Sequence, residues 1–354
     1  MQLMKRQNCS CKSNDAMRAV FPIDIVYLWV DGADKAWRDE KDKWFEKING
    51  QKPIYAGAAT DERFRDNCEL LYSLRSVAEC ADWVNHIYII TGFNQVPKWL
   101  NTNHPKITIV PHEQIFPDGA LPTFNATAIE MCIPNIPGLS EHFLLMNDDM
   151  FFNKKVHPSF FFDMNGRVKF RYSRNAYDAS VPFEQWKSTL DGYTQTLALS
   201  AKYIDDMFGI KMYNIRPSHG IDPYIKSSWL ECRNHPQLKN QVDSQIYNKF
   251  RTNDEIQRWT MNMYDFAMGR ARFIHARAAK YGRHKILSKI YNILHCIGVR
   301  RSNIVCTDVA TVKSVIKYAP TFCINDAAEN GTEILSGNTE FLQKRFPNKC
   351  EFEK

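Results

Sequence analysis

The segment from residue 21 to 30, FPIDIVYLWV, is apolar at nearly every position and rich in β-branched and aromatic side chains. It is opened by Pro22 and closed by Asp31-Gly32, a pattern that predicts a buried strand ending in a tight turn. Charged, helix-favouring residues follow from 35 to 47. In 61–80, DERFRDNCELLYSLRSVAEC, the apolar residues Leu70, Leu71, Leu74 and Val77 recur at helical spacing behind a polar start. Segments 84–91 and 107–110 predict short strands, separated by a Gly-Phe-Asn turn and a short helix about 97–100. Segment 143–146 predicts another buried strand, which stops on Asn147-Asp148-Asp149. Beyond residue 160 the spacing turns mainly helical, clearest at 195–207, 237–250 and 254–271, and a last strand at 321–324 runs into Asn325-Asp326.

Strands alternating with helical stretches over the first 150 residues predict an α/β layer around a largely parallel sheet, whose ligands collect at the carboxyl ends of the strands. Asp31-Gly32, Thr91-Gly92 and Asn147-Asp148-Asp149 all fall at predicted strand ends. They are expected to line one crevice.

Composition removes several alternatives. With 354 residues, 44% of them hydrophobic, the chain can fill a core, and disorder is not expected. Ten cysteines are scattered thinly rather than in the framework of a small secreted domain, which predicts reduced thiols and a cytoplasmic setting. Cys9 and Cys11 have no matching second pair and make a poor zinc site. No signal-peptide core and no run of about 18 apolar residues occurs, so neither secretion by that route nor a membrane span is expected.

The net charge of +7 is local: positions 270 to 301 hold nine Lys and Arg and no acid. Such a surface suits an anionic partner, either a phosphate-rich polymer or the inner membrane face; nucleic acid is not expected. Within it KILSKIYNILHCIG reads as a helix with an apolar face beside cations, for peripheral membrane contact or for plain core packing.

Several side chains carry candidate chemistry. Asp148 and Asp149 are adjacent carboxylates able to hold a divalent cation, or simply the start of an Asn/Asp turn. Asp24 is a charge inside an apolar strand, expensive to bury without a partner; an arginine of the 61–75 segment and a substrate are the two candidates. Arg63 and Asn67, four apart, are expected on one helix face with donors for a phosphate, while Arg65 is read as solvated surface. His219, in RPSHGIDPY, is either an idle turn residue or a proton acceptor with a pKa near neutrality. Arg251 opens FRTNDEIQ, and nothing local decides between surface and site.

Together these segments resemble the four conserved regions of the Stealth family, which includes bacterial capsular polysaccharide phosphotransferases and the catalytic subunit of lysosomal-enzyme N-acetylglucosamine-1-phosphotransferase. The first region resembles IDIVYLWVDG; the second resembles the run from RFRDNCELLYSLRSVAEC to FLLMNDDMFF; the third resembles SHGIDPY with FRTNDEIQ; the fourth resembles FCINDA with the closing FP and FE. The resemblance implies a glycosyltransferase-A-like nucleotide-sugar-binding α/β sheet with a mainly helical insertion. On this pattern 1–20 is a tail and 21–160 the nucleotide-sugar-binding part. Residues 161–310 form the mainly helical part, and 311–354 complete the catalytic domain.

The activity implied is transfer of a hexose or hexosamine 1-phosphate from a UDP-sugar to a hydroxyl of a capsular or cell-surface polysaccharide, releasing UMP. Asp148, Asp149, His219 and Arg251 are then catalytic, with His219 or Asp148 as the base. Asp24, Asp31, Gly32, Arg63, Asn67 and Arg75 bind substrate, and Asp149 with Asp326 holds Mg2+ or Mn2+. Asp31 stands where some relatives carry Asn, and 271–309 match no conserved region. The competing readings are a glycosyltransferase that releases UDP and a non-catalytic glycan-binding homologue; the second should have lost some of these acids, His219 or Arg251.

Overall fold

The computed structural model describes residues 21–48, 58–174, 180–275, 304–306, 319–325 and 332–354. In chain order the strands are β1 (Ile23–Leu28), β2 (Ile87–Thr91), β3 (Ile107–Pro111), β4 (His142–Asn147), β5 (Met150–Phe152), β6 (Val168–Arg174), β7 (Ile215–Pro217), β8 (Asp222–Ile225), β9 (Ala271–His275), β10 (Ile304–Cys306) and β11 (Thr321–Ile324). The helices are α1 (Lys35–Ile48), α2 (Glu69–Cys80), α3 (Ala126–Cys132), α4 (Phe183–Ser188), α5 (Gly192–Phe208), α6 (Lys226–Arg233), α7 (Lys239–Ile246), α8 (Trp259–Ala267) and α9 (Thr332–Arg345).

The apolar run read first in the sequence lies at the centre of a five-stranded sheet of order β3-β2-β1-β4-β8. β1, β2, β3 and β4 are parallel, and β8 closes the edge antiparallel to β4. This is the mixed α/β layer around a largely parallel sheet that the strand and helix pattern predicts. β1 lacks polar alternation because both its faces are covered. Ile23, Ile25 and Tyr27 pack with Leu70, Leu74 and Val77 of α2 on one face. Val26, with Phe143 and Leu145 of β4, meets residues of α3, α5, α6 and α8 on the other. The chain steps outward from β1 to β2 to β3 and then crosses back to β4 on the other side of β1. The strand order therefore reverses between β1 and β4, where a doubly wound sheet opens a crevice at its carboxyl edge.

Two smaller sheets flank this one, with orders β10-β11-β5 and β7-β6-β9. The first carries Asn325 to the end of β4, fixed where the Ile324 N–H donates to the Asp149 carbonyl at 3.1 Å. The region after residue 160 is mainly helical, yet through β8 it also supplies an edge of the central sheet.

Some elements differ from the sequence expectation. Segment 61–80 is broken: a 3-10 turn at Asp61–Arg63 is followed by Cys68 at φ 65°, and α2 begins only at Glu69. Arg63 and Asn67 therefore share no helix face. Segment 254–271 forms α8 only from Trp259, and Gly269 at φ +72° turns the chain out of the helix toward β9. The short helix about 97–100 is a single turn closed by Leu100 N–H to the Pro97 carbonyl, 3.0 Å. The tail 1–20 and positions 276–303, with most of the basic segment, lie outside the described residues. No helix among the described residues is long and apolar enough to cross a membrane.

Candidate active site

A cleft of about 660 Å³ opens at the carboxyl edge of the central sheet, beside the reversal between β1 and β4. Its first wall follows β1. The Asp31 N–H donates to Gln95 Oε1 at 2.9 Å, and Gln95 Nε2 donates back to the Asp31 carbonyl at 3.0 Å, so one side-chain amide holds this turn. The Gly32 N–H donates to the Phe64 carbonyl at 2.9 Å. A Cβ at position 32 would lie 2.3 Å from that oxygen, so only glycine permits the approach. The contact lays the turn bearing Arg63 and Arg65 over the end of β1, and both arginines line the cleft.

The floor follows β4. Asp148 and Asp149 enter the cleft together with Glu69 from the start of α2. Burial, then the neighbouring Asp149, Glu69 and Asp66, raises the Asp148 carboxyl well above its ordinary range. Burial, with Asp66 nearby, pushes Glu69 up to about 7 against hydrogen bonds from Asn67. Burial also raises Asp66. Carboxylates crowded in this way favour a proton or a cation among them. A ligating oxygen of Asp149, a ring nitrogen of His219 and the Cys323 sulfur all lie within 4.8 Å of one another.

The facing wall is cationic. His219, Arg216, Arg251 and Arg258 line it, and burial followed by Arg258, Arg251 and Arg216 pushes the imidazole down to about 4 despite a hydrogen bond with Asn325. His219 is therefore neutral at pH 7. Arg258, the residue just before α8, is almost fully buried and ties the walls together. Its guanidinium donates to Glu130 of α3 at 2.8 Å, to Asn147 Oδ1 at the end of β4 at 3.2 Å and to Asp222 of β8 at 3.4 Å. Trp259 Nε1 also donates to Asp222, at 2.9 Å. Glu255, next to Arg251 in the cleft, accepts from Asn125 and Asn248 at 2.8 and 2.9 Å, and burial pushes it up to about 7.

Of the residues singled out in the sequence, Asp148, Asp149, His219, Arg251 and Arg63 all line this cleft. Asp31 and Gly32 shape it from behind Val30. Asn67 stands one step back, donating through its side-chain amide to Glu69 at 2.8 Å.

Two residues expected to bind substrate are elsewhere. Asp24 is the second residue of β1, at the opposite end of the strand from the cleft, and accepts from Asn85 Nδ2 at 2.8 Å and the Ser140 N–H at 2.7 Å. Among the described residues neither an arginine nor the cleft meets it; its carboxylate is satisfied by an amide and a backbone donor. Arg75 points from α2 to the chain's last residues, where it pairs with Glu353. Asp326 lies outside the described residues.

Arg65, read from the sequence as solvated surface, is half-buried and lines the cleft, and the sequence reading passed over Arg216, Arg258, Asp66, Glu69 and Cys323. Arg258 carried a usable signal, because a lone charge between Ile256 and Trp259 raises the same question of a buried partner as Asp24.

The chain matches Stealth protein CR1, conserved region 1, over residues 21–46, and Stealth protein CR2, conserved region 2, over residues 63–170. An exopolysaccharide phosphotransferase of Streptomyces coelicolor is 46% identical over 154 residues, 43% of this chain and 25% of that protein. Another, from Lactiplantibacillus plantarum, is 44% identical over 44% of each chain, so the chain spans less than half the length of these relatives. A capsular polysaccharide phosphotransferase of Haemophilus influenzae is 29% identical over 97% of this chain and 87% of its own length. A solved galactosyltransferase in complex with donor and acceptor sugar analogs aligns over 92% of this chain and 95% of its own at 9% identity, with a TM-score of 0.42, too remote to carry an argument about chemistry. Two Stealth conserved regions are thus matched in order, and a capsular polysaccharide phosphotransferase is similar along nearly the whole of this chain.

Proposed function

We propose that the protein transfers a sugar 1-phosphate from a UDP-sugar to a hydroxyl of a capsular or other cell-surface polysaccharide, releasing UMP. One observation carries this reading: an acidic corner at Asp148 and Asp149 adjoins a neutral His219 that stands among arginines in the same cleft. Phosphoryl transfer asks a protein mainly for alignment and for positive charge around the equatorial oxygens. The relatives' names, exopolysaccharide and capsular polysaccharide phosphotransferase, agree with it.

In the proposed reaction the acceptor hydroxyl oxygen attacks the phosphorus that bears the sugar. The bond from that phosphorus to the bridging oxygen of the diphosphate breaks, UMP leaves, and the oxygen–sugar bond is kept. Arg251 and Arg63, from opposite walls, meet the phosphate oxygens. His219, neutral at pH 7, takes the hydroxyl proton; burial most and then the arginines weaken this imidazole as a base, and a bound diphosphate offsets the second of these. Asp148 is the less suited base, because burial and then crowding by acids favour its protonated form.

The donor set fits a divalent cation. A carboxylate oxygen of Asp149 suits Mg2+ or Mn2+, and the nearby His219 nitrogen and Cys323 sulfur weight the choice toward Mn2+. When bound, such an ion would neutralise donor phosphate charge. The setting proposed is the cytoplasm, in keeping with the free thiols of Cys68, Cys80, Cys132, Cys232, Cys323 and Cys350.

The deciding experiment incubates the protein with a panel of UDP-sugars and an oligosaccharide acceptor and identifies the nucleotide product. UMP is expected. UDP as the sole nucleotide product would overturn the reading in favour of sugar transfer.

A further inference from the structure

Arg216 is a cation of the cleft for which the proposed transfer has no task. It is exposed on β7, three positions before His219, and it lines the cleft mouth. Its guanidinium carbon lies 5.7 Å from the centroid of the Tyr193 ring. Tyr193 in turn meets Trp259 edge-on at 6.0 Å, and Trp259 is fixed by its bond to Asp222. The platform under Arg216 is thus anchored to the buried cluster on Arg258.

Among the described residues Arg216 forms no ion pair. Asp191, whose carboxylate feels its charge, is engaged in capping α5 through the Thr194 N–H and hydroxyl. A guanidinium held on an aromatic face loses little freedom on binding and presents a fork of donors suited to two oxygens of one phosphate.

Its position indicates which substrate it meets. The strand reversal beside which the cleft opens lies between β1 and β4, and the sheet containing β7 packs beyond β4, against β8. Arg216 therefore stands on the far side of β4 from β1. A donor seated at the reversal leaves this side to the acceptor. Each round of the proposed transfer leaves a phosphodiester in the acceptor, so an acceptor that has been extended once presents an anion that an unextended glycan lacks.

We propose that Arg216, backed by Tyr193, binds a phosphodiester of the acceptor, so that the protein favours glycans already carrying a linkage of the kind it makes. This rests on the phosphotransferase reading, but its test does not require turnover. The full chain is titrated calorimetrically, without donor, with two oligosaccharides of the same sugars, one joined by a phosphodiester and one neutral. The phosphodiester oligomer is expected to bind about tenfold more tightly, with an advantage that shrinks as salt rises.

Arg216→Gln should bring the two affinities together, and Arg216→Lys should restore part of the difference. Equal affinities in the unaltered protein, or a preference that survives Arg216→Gln, would overturn the proposal. A second arm measures UMP release with both acceptors: a donor KM raised equally for both in Arg216→Gln would assign the side chain to the donor and also overturn it. Absence of UMP with a retained binding preference would instead count against the phosphotransferase reading alone.

Discussion

Replacing Arg75 with Gln should weaken the fold and spare the cleft. In the native chain Arg75 Nε and Nη2 donate to the two Glu353 oxygens, each at 2.8 Å, and Nη1 donates to the Phe346 carbonyl at 2.9 Å. The side chains are 14% and 8% exposed, so water screens the pair weakly. Breaking a buried ion pair from one side costs about 3–5 kcal/mol, and the residual exposure brings the expectation to about 2–4 kcal/mol.

The pH dependence follows from Glu353. Burial raises its pKa, while Arg75 and the Cys350 N–H more than compensate and leave it below the ordinary value. The stabilisation it brings is thus fully present above the unfolded pKa and is lost as pH falls through the folded one. Urea unfolding at pH 7 and at stepwise lower pH should show the variant's deficit shrinking toward acid. A double-mutant cycle with Glu353→Gln should return a coupling on the order of 1–3 kcal/mol. Stability within about 0.5 kcal/mol of the unaltered protein, or a donor KM raised with stability unchanged, would refute the assignment and return Arg75 to substrate binding.

Asp149→Asn and His219→Ala should each lower turnover by about 100-fold or more while circular dichroism stays native, since metal or acid/base assistance is typically worth that much; near-normal activity in a folded variant would remove that residue from the chemistry. Chelation with EDTA should abolish UMP release and Mn2+ should restore it, with Mn2+ binding to the protein, followed by paramagnetic resonance, lost in Asp149→Asn. Away from the cleft, burial pushes Asp265 up to about 7 against its Ser228 hydrogen bond. The folded chain holds that proton more tightly than the unfolded one, so stability contributed there falls by about 1.4 kcal/mol per pH unit between the ordinary carboxylate range and 7. Asp265→Asn should remove that share of the slope, and an unchanged slope in thermal melts from pH 4 to 8 would refute it.

The strands of the central sheet were legible wherever burial on both faces wrote a continuous apolar run, as at β1, β2 and β4. β8 was not, because Asp222-Pro223-Tyr224-Ile225 is short and contains a proline, tolerable only because the strand lies at the sheet edge. β6 and β9 pair across about a hundred intervening residues, a register that no local pattern encodes.

In the cleft, Asp148, Asp149, His219 and Arg251 stood on recognisable motifs. Arg258 did not, since Glu130, Asn147 and Asp222 come from three separate elements. Asp24 shows the limit of reasoning from cost: its burial correctly required a partner but could not indicate which end of the strand would supply one. The face expected to join Arg63 and Asn67 failed because the 3-10 turn ends at Arg63 and α2 starts only at Glu69, which leaves 64–68 outside any helix.

The buried cluster on Arg258 also divides the molecule by how freely it can vary. Removing any one of its charges strands the others away from water, so exchanges there need simultaneous compensation on α3, β8 or α8. The mouth carries no such obligation: Arg216 is exposed, and its neighbours on β7 are held mainly through backbone bonds to β6. Under the proposed transfer, acceptor preference would then shift by single substitutions at the rim, while the wall built on Arg258 could change only as a block.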